Sequence, residues 1–332
     1  MKNMNIVNES STLLEDMIEG IEWAYPSLKR VANTHGFCER GLNIDQVPLI
    51  SGGGSGHEPS DWGFIGPGML SGIIMGNIFT PPTADEIIDF VSQLTSQKRA
   101  FFIVKNFEAD VTSFKEAKKK LELNGWQIGM CIVADDVSVE NISLKKRQRG
   151  VAGTVFFHKI LGYYAQNGAS IEKLQEISSA LLPEVKTIGV AFNGSHLPWT
   201  KKRTFSLKEG EIYYGTGIHG EPGYRKETFK SSELLARELI SKLKLNFRWT
   251  PKDKYALLIN SLGGITLMEN MIFNNDVRQL LKINKLEVVY DKVGGFMTSN
   301  GMNGISLSLF HIANEEWEDA LKTAVKAPSW FN

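Results

Sequence analysis

Short runs of apolar and β-branched residues that end in glycine-rich turns alternate with longer amphipathic stretches along this chain, and that alternation limits it to the α/β class. "VPLIS", Val47 to Ser51, reads as a buried strand feeding the turn "GGGSGHEP". "AFFIVKN", Ala100 to Asn106, and "GMCIVADD", Gly129 to Asp136, read as two more strands. Between them "VTSFKEAKKKLELNG" sets Phe114, Ala117, Leu121 and Leu123 against a lysine-rich face and stops at Asn-Gly, the pattern of a surface helix. A further helix, "SIEKLQEISSALLPEVK", is ended by Pro183, and "TIGVAFNG" opens a new strand. After the irregular "HLPWTKKRTF", the pattern resumes with a helix in "ELLARELISKLKL", strands with glycine turns in "KYALLINSLGG" and "LEVVYDKVGG", and a late strand in "ISLSLFHIA". A chain of 332 residues exceeds one typical domain. Two α/β domains are expected, 1–184 and 185–332, with a ligand site between them at strand-end loops, where open α/β sheets collect ligands.

Composition enters as a set of exclusions. Lys+Arg and Asp+Glu both number 37, so no global field draws in a nucleic acid or an anionic membrane, and a role at DNA would run through a partner. The first twenty residues are polar and acidic, and no run of eighteen apolar residues follows. Cys38 and Cys131 form no CxxC pair. A soluble cytoplasmic protein is expected. Histidines 35, 57, 158, 196, 219 and 311 form no HxH or HExxH pair, so no metal site is expected.

Four strand-end loops carry the candidate chemistry. "SGGGSGHEPSDWG" has glycines that let backbone amides approach an oxygen-rich ligand, but neither a P-loop ending nor a dinucleotide spacing. Its "GGSGH" is not the nucleophile elbow of a hydrolase. "VKNFEAD" sets Lys105 and Asp110 on either side of a strand end, where they suit hydroxyl binding or proton abstraction, or are solvated charges. "NSLGGITLMEN" suits a plain strand-to-helix turn. "YYGTGIHGEPGY" exposes His219 among glycines as a metal ligand, a base or a covalent nucleophile.

Six separated blocks, "LISGGGSGHEP", "GFIGPGML", "FTPPTADEI", "VKNF" with its following Asp110, "RGVAGTVFFHKILG" and "GTGIHGEPGYRKE", run in this order over nearly the whole chain. Together they resemble the dihydroxyacetone-binding DhaK subunits of bacterial phosphotransferase-dependent dihydroxyacetone kinases. The resemblance implies two α/β domains in a homodimer, with the C2 carbonyl of dihydroxyacetone held as a hemiaminal on His219. It implies His57 as an acid, base or hydrogen-bonding group, and Gly54, Ser55, Gly56, Lys105 and Asp110 around the hydroxyls. It also implies no cofactor on this chain, since a separate ADP-carrying subunit delivers the phosphate.

The chain departs from the kinase pattern at "GHEPSD", which places Asp61 where the kinases resemble one another in a histidine. It departs again at "FEAD", with Glu108 and Ala109 in place of a small polar residue and glycine. Both changes are expected to make the rim facing a phosphorylated partner more negative, and Ala109 to stiffen a loop. The pattern resembles a ligand-binding coactivator branch of the family that works with a TetR-type transcription regulator. An active kinase subunit is the alternative, and an unrelated aldolase-like or phosphate-binding enzyme is third.

Overall fold

The computed structural model describes residues 5–43, 45–138, 148–200 and 202–331. The chain packs into two compact units: Met1–Val133 with Val155–Leu181 and Thr323–Asn332, and Ala134–Thr154 with Leu182–Lys322. One crossing, after Leu181, lies beside the expected cut at 184/185, but the chain crosses three further times.

In the first unit α1 (Leu13–Ala24) precedes a hairpin of β1 (Leu28–Arg30) and β2 (Gly36–Glu39), followed by β3 (Leu49–Ser55) and β4 (Gly72–Ile78). Then come α2 (Ala84–Leu94), β5 (Arg99–Lys105), α3 (Glu108–Leu123), β6 (Gln127–Val133), α4 (Thr154–Gln166) and α5 (Ile171–Leu181). The sheet order is β1-β2-β4-β3-β5-β6, with β4, β3, β5 and β6 parallel and the hairpin antiparallel at one edge. β5 is buried from Ala100 to Lys105, which is why its sequence is a continuous apolar run rather than an alternating one. Its flank is sealed by Ile50, Phe90, Phe102, Phe114 and Ala117 in one core. Leu123, expected on the apolar face of α3, is 79% exposed because it lies two residues beyond Leu121 and so on the opposite side of the helix.

The glycines of "SGGGS" lie inside β3 and not in a loop, because pairing with β4 continues through Gly52, Gly53 and Gly54 before the register shifts at Ser55. Glycine is needed at Gly54 for space, since a Cβ there would stand 2.4 Å from the Thr80 amide nitrogen.

The second unit contains β7 (Val185–Asn193), β8 (Glu211–Tyr214), β9 (Arg225–Thr228), α6 (Ser232–Lys244), β10 (Lys254–Ser261), α7 (Leu267–Ile283), β11 (Glu287–Gly294), β12 (Asn303–His311) and α8 (Glu315–Lys322). Its sheet order is β11-β10-β12-β7-β8-β9, and only β10 and β11 run parallel. Ile188, Ile212, Leu239, Leu257, Phe273 and Leu307 lie in its core. "NSLGGITLMEN" is the turn from β10 into α7, whose start is fixed by a reciprocal Thr266–Glu269 capping box.

Two of the three extra crossings have a local cause. "GMCIVADD" leaves the first sheet at Val133, and Asp136 then bridges Thr187 on β7. After α8 the tail forms β13 (Lys326–Ala327) and β14 (Trp330–Phe331) and returns to the first unit, where the indole of Trp330 is buried with its ring centroid 6.4 Å from that of Phe64.

Candidate functional site

In the first unit the ends of β3 and β5 and the start of α3 converge. Lys105, the last residue of β5, donates from Nζ to the Gly52 carbonyl at 3.0 Å and to Asp61 Oδ2 at 2.5 Å. Both side chains are at most 5% exposed. Ser60 Oγ adds a 2.6 Å hydrogen bond to Asp61 Oδ1. Burial works against the Asp61 carboxylate, but the charges of Lys105 and His158 and the hydrogen bonds from Lys105 and Ser60 hold its pKa below the ordinary range.

Asp61 is therefore not the exposed rim charge expected from the sequence. Pairing with Lys105 offsets the cost of taking both groups out of water, and draws them inside together. Glu108 and Ala109 are exposed, yet they form the first turn of α3, so Ala109 stiffens no loop. Asp110, on the same turn, is buried, and its carboxylate lies over Gly53: a Cβ added there would be 2.9 Å from Asp110 Oδ1 and 3.4 Å from Lys105 Nζ. The structure thus brings Gly53, Asp61, Lys105 and Asp110 together, two of which sequence reasoning did not name as site residues.

The glycine segment has internal partners as well. The Gly56 amide donates to the Glu58 carboxylate at 3.0 and 3.1 Å, and Ser55 Oγ to the Gly76 carbonyl at 2.6 Å. His57 is buried, its ring centroid 5.1 Å from that of Phe79.

His219 belongs to the second unit, on the loop that joins β8 to β9 across the Tyr214–Arg225 pair. Glycine explains how the loop closes. Gly220 has φ +82°, and a Cβ there would lie 2.0 Å from Thr204 Oγ1. Glu221 folds back on the histidine, accepting from its backbone N–H at 3.1 Å and from its Nδ1 at 3.0 Å. Burial opposes the Glu221 charge, but the hydrogen bond from His219 and the charges of His219 and Arg149 outweigh it and bring the carboxyl down to about 2.

Arg149 fixes the base of this loop. Its guanidinium donates to Asp136 Oδ2 at 2.7 Å, Ser138 Oγ at 2.7 Å and the Gly215 carbonyl at 2.7 Å, and stands 4.0 Å from Glu221 Oε2. Asp135 in turn orders the "RGVAG" turn by accepting from the Val151 and Gly153 amides, each at 2.8 Å. Burial raises its carboxyl to about 6 in spite of those bonds. The sequence signal for Arg149 was its place at the head of the "RGVAGT" block, but nothing in the spacing linked it to a loop some seventy residues further on.

These contacts define what the groups can do. An Nδ1–H held by a carboxylate leaves the lone pair of a neutral imidazole on Nε2, the arrangement of a nucleophile or base. The buried Lys105, Asp61 and Asp110 offer donors and acceptors for a polyhydroxy compound. Among the described residues no group of His, Cys, Asp and Glu could hold a metal ion, and no helix is long and apolar enough to cross a membrane.

The Glu221 contact has a pH signature. Because its folded pKa is depressed, its stabilisation is complete above about 4.5 and is lost as pH falls toward about 2. Discounted for partial exposure, this amounts to about 2 kcal/mol. Urea titrations of wild type and Glu221→Gln are expected to differ by that amount at pH 6 and to converge as the pH approaches about 2; an unchanged gap would refute the assignment.

Comparison with known proteins accords with these features. Over 329 residues the chain is 43% identical to the DhaKLM operon coactivator DhaQ of Lactococcus lactis, covering 98% of this chain and 100% of that protein. It is 39% identical, over 331 residues, to the dihydroxyacetone-binding subunit DhaK of the PTS-dependent dihydroxyacetone kinase of the same organism, covering 99% and 100%. The solved structure of a dihydroxyacetone kinase operon co-activator, Dha-DhaQ, superposes with a TM-score of 0.92 at 43% identity, covering 96% of this chain and 98% of that one. The two α/β units are thus of the DhaK type, as the sequence blocks led us to expect. With the Dak1 domain profile matching residues 19–329, the chain belongs to the Dak1 domain family.

Proposed function

We propose that this chain is a dihydroxyacetone-binding protein that captures the ketone covalently on His219. In this reading it acts as a ligand-sensing coactivator with a TetR-type transcription regulator, as a cytoplasmic homodimer that binds no nucleotide or metal itself. The His219 Nε2 lone pair adds to C2, a C–N bond forms, and the carbonyl π electrons pass to oxygen, which takes a proton from His57. The Glu221 carboxylate stabilises the positive charge that develops on the ring. Lys105 and Asp110 hold the hydroxyls, beside Gly54, Ser55 and Gly56. Glycerol, which has no carbonyl, is rejected.

The observation that carries the sensor reading is the Lys105–Asp61 ion pair. Phosphoryl transfer is stabilised by cations placed on the moving group. Here a carboxylate at the position of a kinase-pattern histidine compensates the one lysine of the cluster. Full-length similarity to a protein named as an operon coactivator supports the same reading. The similarity to a DhaK subunit supports the alternative, an active kinase subunit.

The two part in a reconstitution. With an ADP-loaded kinase subunit and the phosphotransferase components, the chain is expected to take up dihydroxyacetone, seen as a mass increase of one triose, and to yield no dihydroxyacetone phosphate above background. Turnover at the rate of a DhaK-containing control would establish the kinase instead.

A further inference from the structure

His158 is a buried ionisable side chain for which the proposed function has no use. It lies on α4, is fully buried, and neither ring nitrogen has a hydrogen-bond partner among the described residues. Phe64 packs against it with ring centroids 5.7 Å apart. The charges that face it are those of Asp61 and Lys105, and Glu58 in turn faces Asp61. Its neighbour Lys159 is also buried, but that ammonium is engaged by the Thr323 carbonyl at 2.8 Å. A neutral imidazole always carries one N–H, and leaving a buried donor without an acceptor is costly. An idle histidine beside an ion pair points to a second arrangement in which it is used.

We propose that His158 is a positioning residue for Lys105: when Lys105 turns its ammonium to a ligand hydroxyl, the Asp61 carboxylate exchanges onto a protonated His158. The inference rests on the proposed binding of dihydroxyacetone. Lys105 cannot simply leave Asp61, because an uncompensated carboxylate in this interior would oppose binding. Among the described residues the Trp62 indole N–H is also buried without a hydrogen-bond partner, and it can donate but brings no charge. His158 brings both. The proton comes from the buffer acid: one N–H bond forms on the imidazole, no protein bond breaks, and the set Asp61, Lys105 and His158 passes from zero net charge to plus one. Before binding the ring is neutral across the physiological range, since burial pushes it down to about 4, Asp61 opposing and Lys105 reinforcing the shift. Its protonation therefore registers as proton uptake coupled to the ligand. Because His158 is on α4, the exchange also writes the state of the ligand onto a helix.

The test is calorimetric titration of the full chain with dihydroxyacetone, in two buffers of different ionisation enthalpy, with adduct mass read in parallel. Wild type is expected to take up close to one proton at pH 6 and to bind about tenfold more tightly at pH 6 than at pH 8. His158→Gln should keep the adduct mass and lose both the uptake and that slope, whatever His219 contributes to both proteins. Asp61→Asn, which leaves no carboxylate to exchange, should lose them too and serves if His158→Gln fails to fold. Proton uptake equal to wild type in either variant overturns the proposal. A wild-type chain that forms no adduct overturns the proposed function, and this inference with it; an adduct without proton uptake overturns this inference alone.

Discussion

Lys105→Ala is expected to lower the free energy of unfolding by about 3–5 kcal/mol at neutral pH. The size of the effect comes from what is left behind. Lys105 and Asp61 are at most 5% exposed, so removing the ammonium strands a carboxylate where water cannot reach it. The loss should shrink under acid. Once Lys105 no longer offsets burial, the stranded charge is relieved as pH falls by a proton taken up on Asp61 itself or, in the exchange proposed above, on His158. The double variant Lys105→Met, Asp61→Asn removes both charges at nearly constant volume and should recover most of the stability. Urea titrations of the three proteins at pH 7 and pH 5 check this. A single variant as stable as wild type at pH 7 would mean that the pair is not buried in solution.

His219→Ala is expected to abolish the triose adduct in intact-protein mass spectra and to weaken dihydroxyacetone binding at least roughly a hundredfold, about 3 kcal/mol. No other contact can replace a C–N bond. His219→Ala also removes the Nδ1 hydrogen bond to Glu221, so the variant is expected to lose at most the stability of that contact, about 2 kcal/mol, and to stay folded under the binding conditions. His57→Ala, by contrast, should slow formation of the adduct without preventing it, because an acid accelerates the addition and the imidazole still performs it. An adduct that survives in His219→Ala would remove the chemical basis of the proposed function.

Much of the framework was legible along the chain. The strand from Arg99 to Lys105, the helix ending at Leu123 and the strand from Lys254 to Ser261 all stand where apolar runs and glycine stops put them. Periodicity is a local signal and these elements obey it. The glycine run at Gly52 to Gly54 has the composition of a loop and yet is strand, because its extended conformation is imposed by pairing with a strand some twenty residues later and by the close passage of Thr80. A single domain cut was expected for a similar reason. Asp136 and Trp330 find partners on strands and turns that nothing in their own neighbourhood announces.

For the site, motif matching alone could pick out His219, Lys105 and Asp110, since each lies in a glycine-bounded or strand-end block with a distinctive order of residues. The sequence by itself determined the α/β class, the family blocks and the candidate groups of the site, because backbone geometry, hydrophobic period and motif order are written within a few residues of each position. Only the tertiary structure decided what those groups hold. Asp61 became the buried counter-ion of Lys105, Glu221 the orienting carboxylate of His219, and Arg149 the clamp on its loop. The physical reason is that charge pairing and burial depend on distance through space. Glu221 lies two positions from its partner, Asp61 and Lys105 are 44 residues apart, and the Arg149 clamp on Gly215 spans 66.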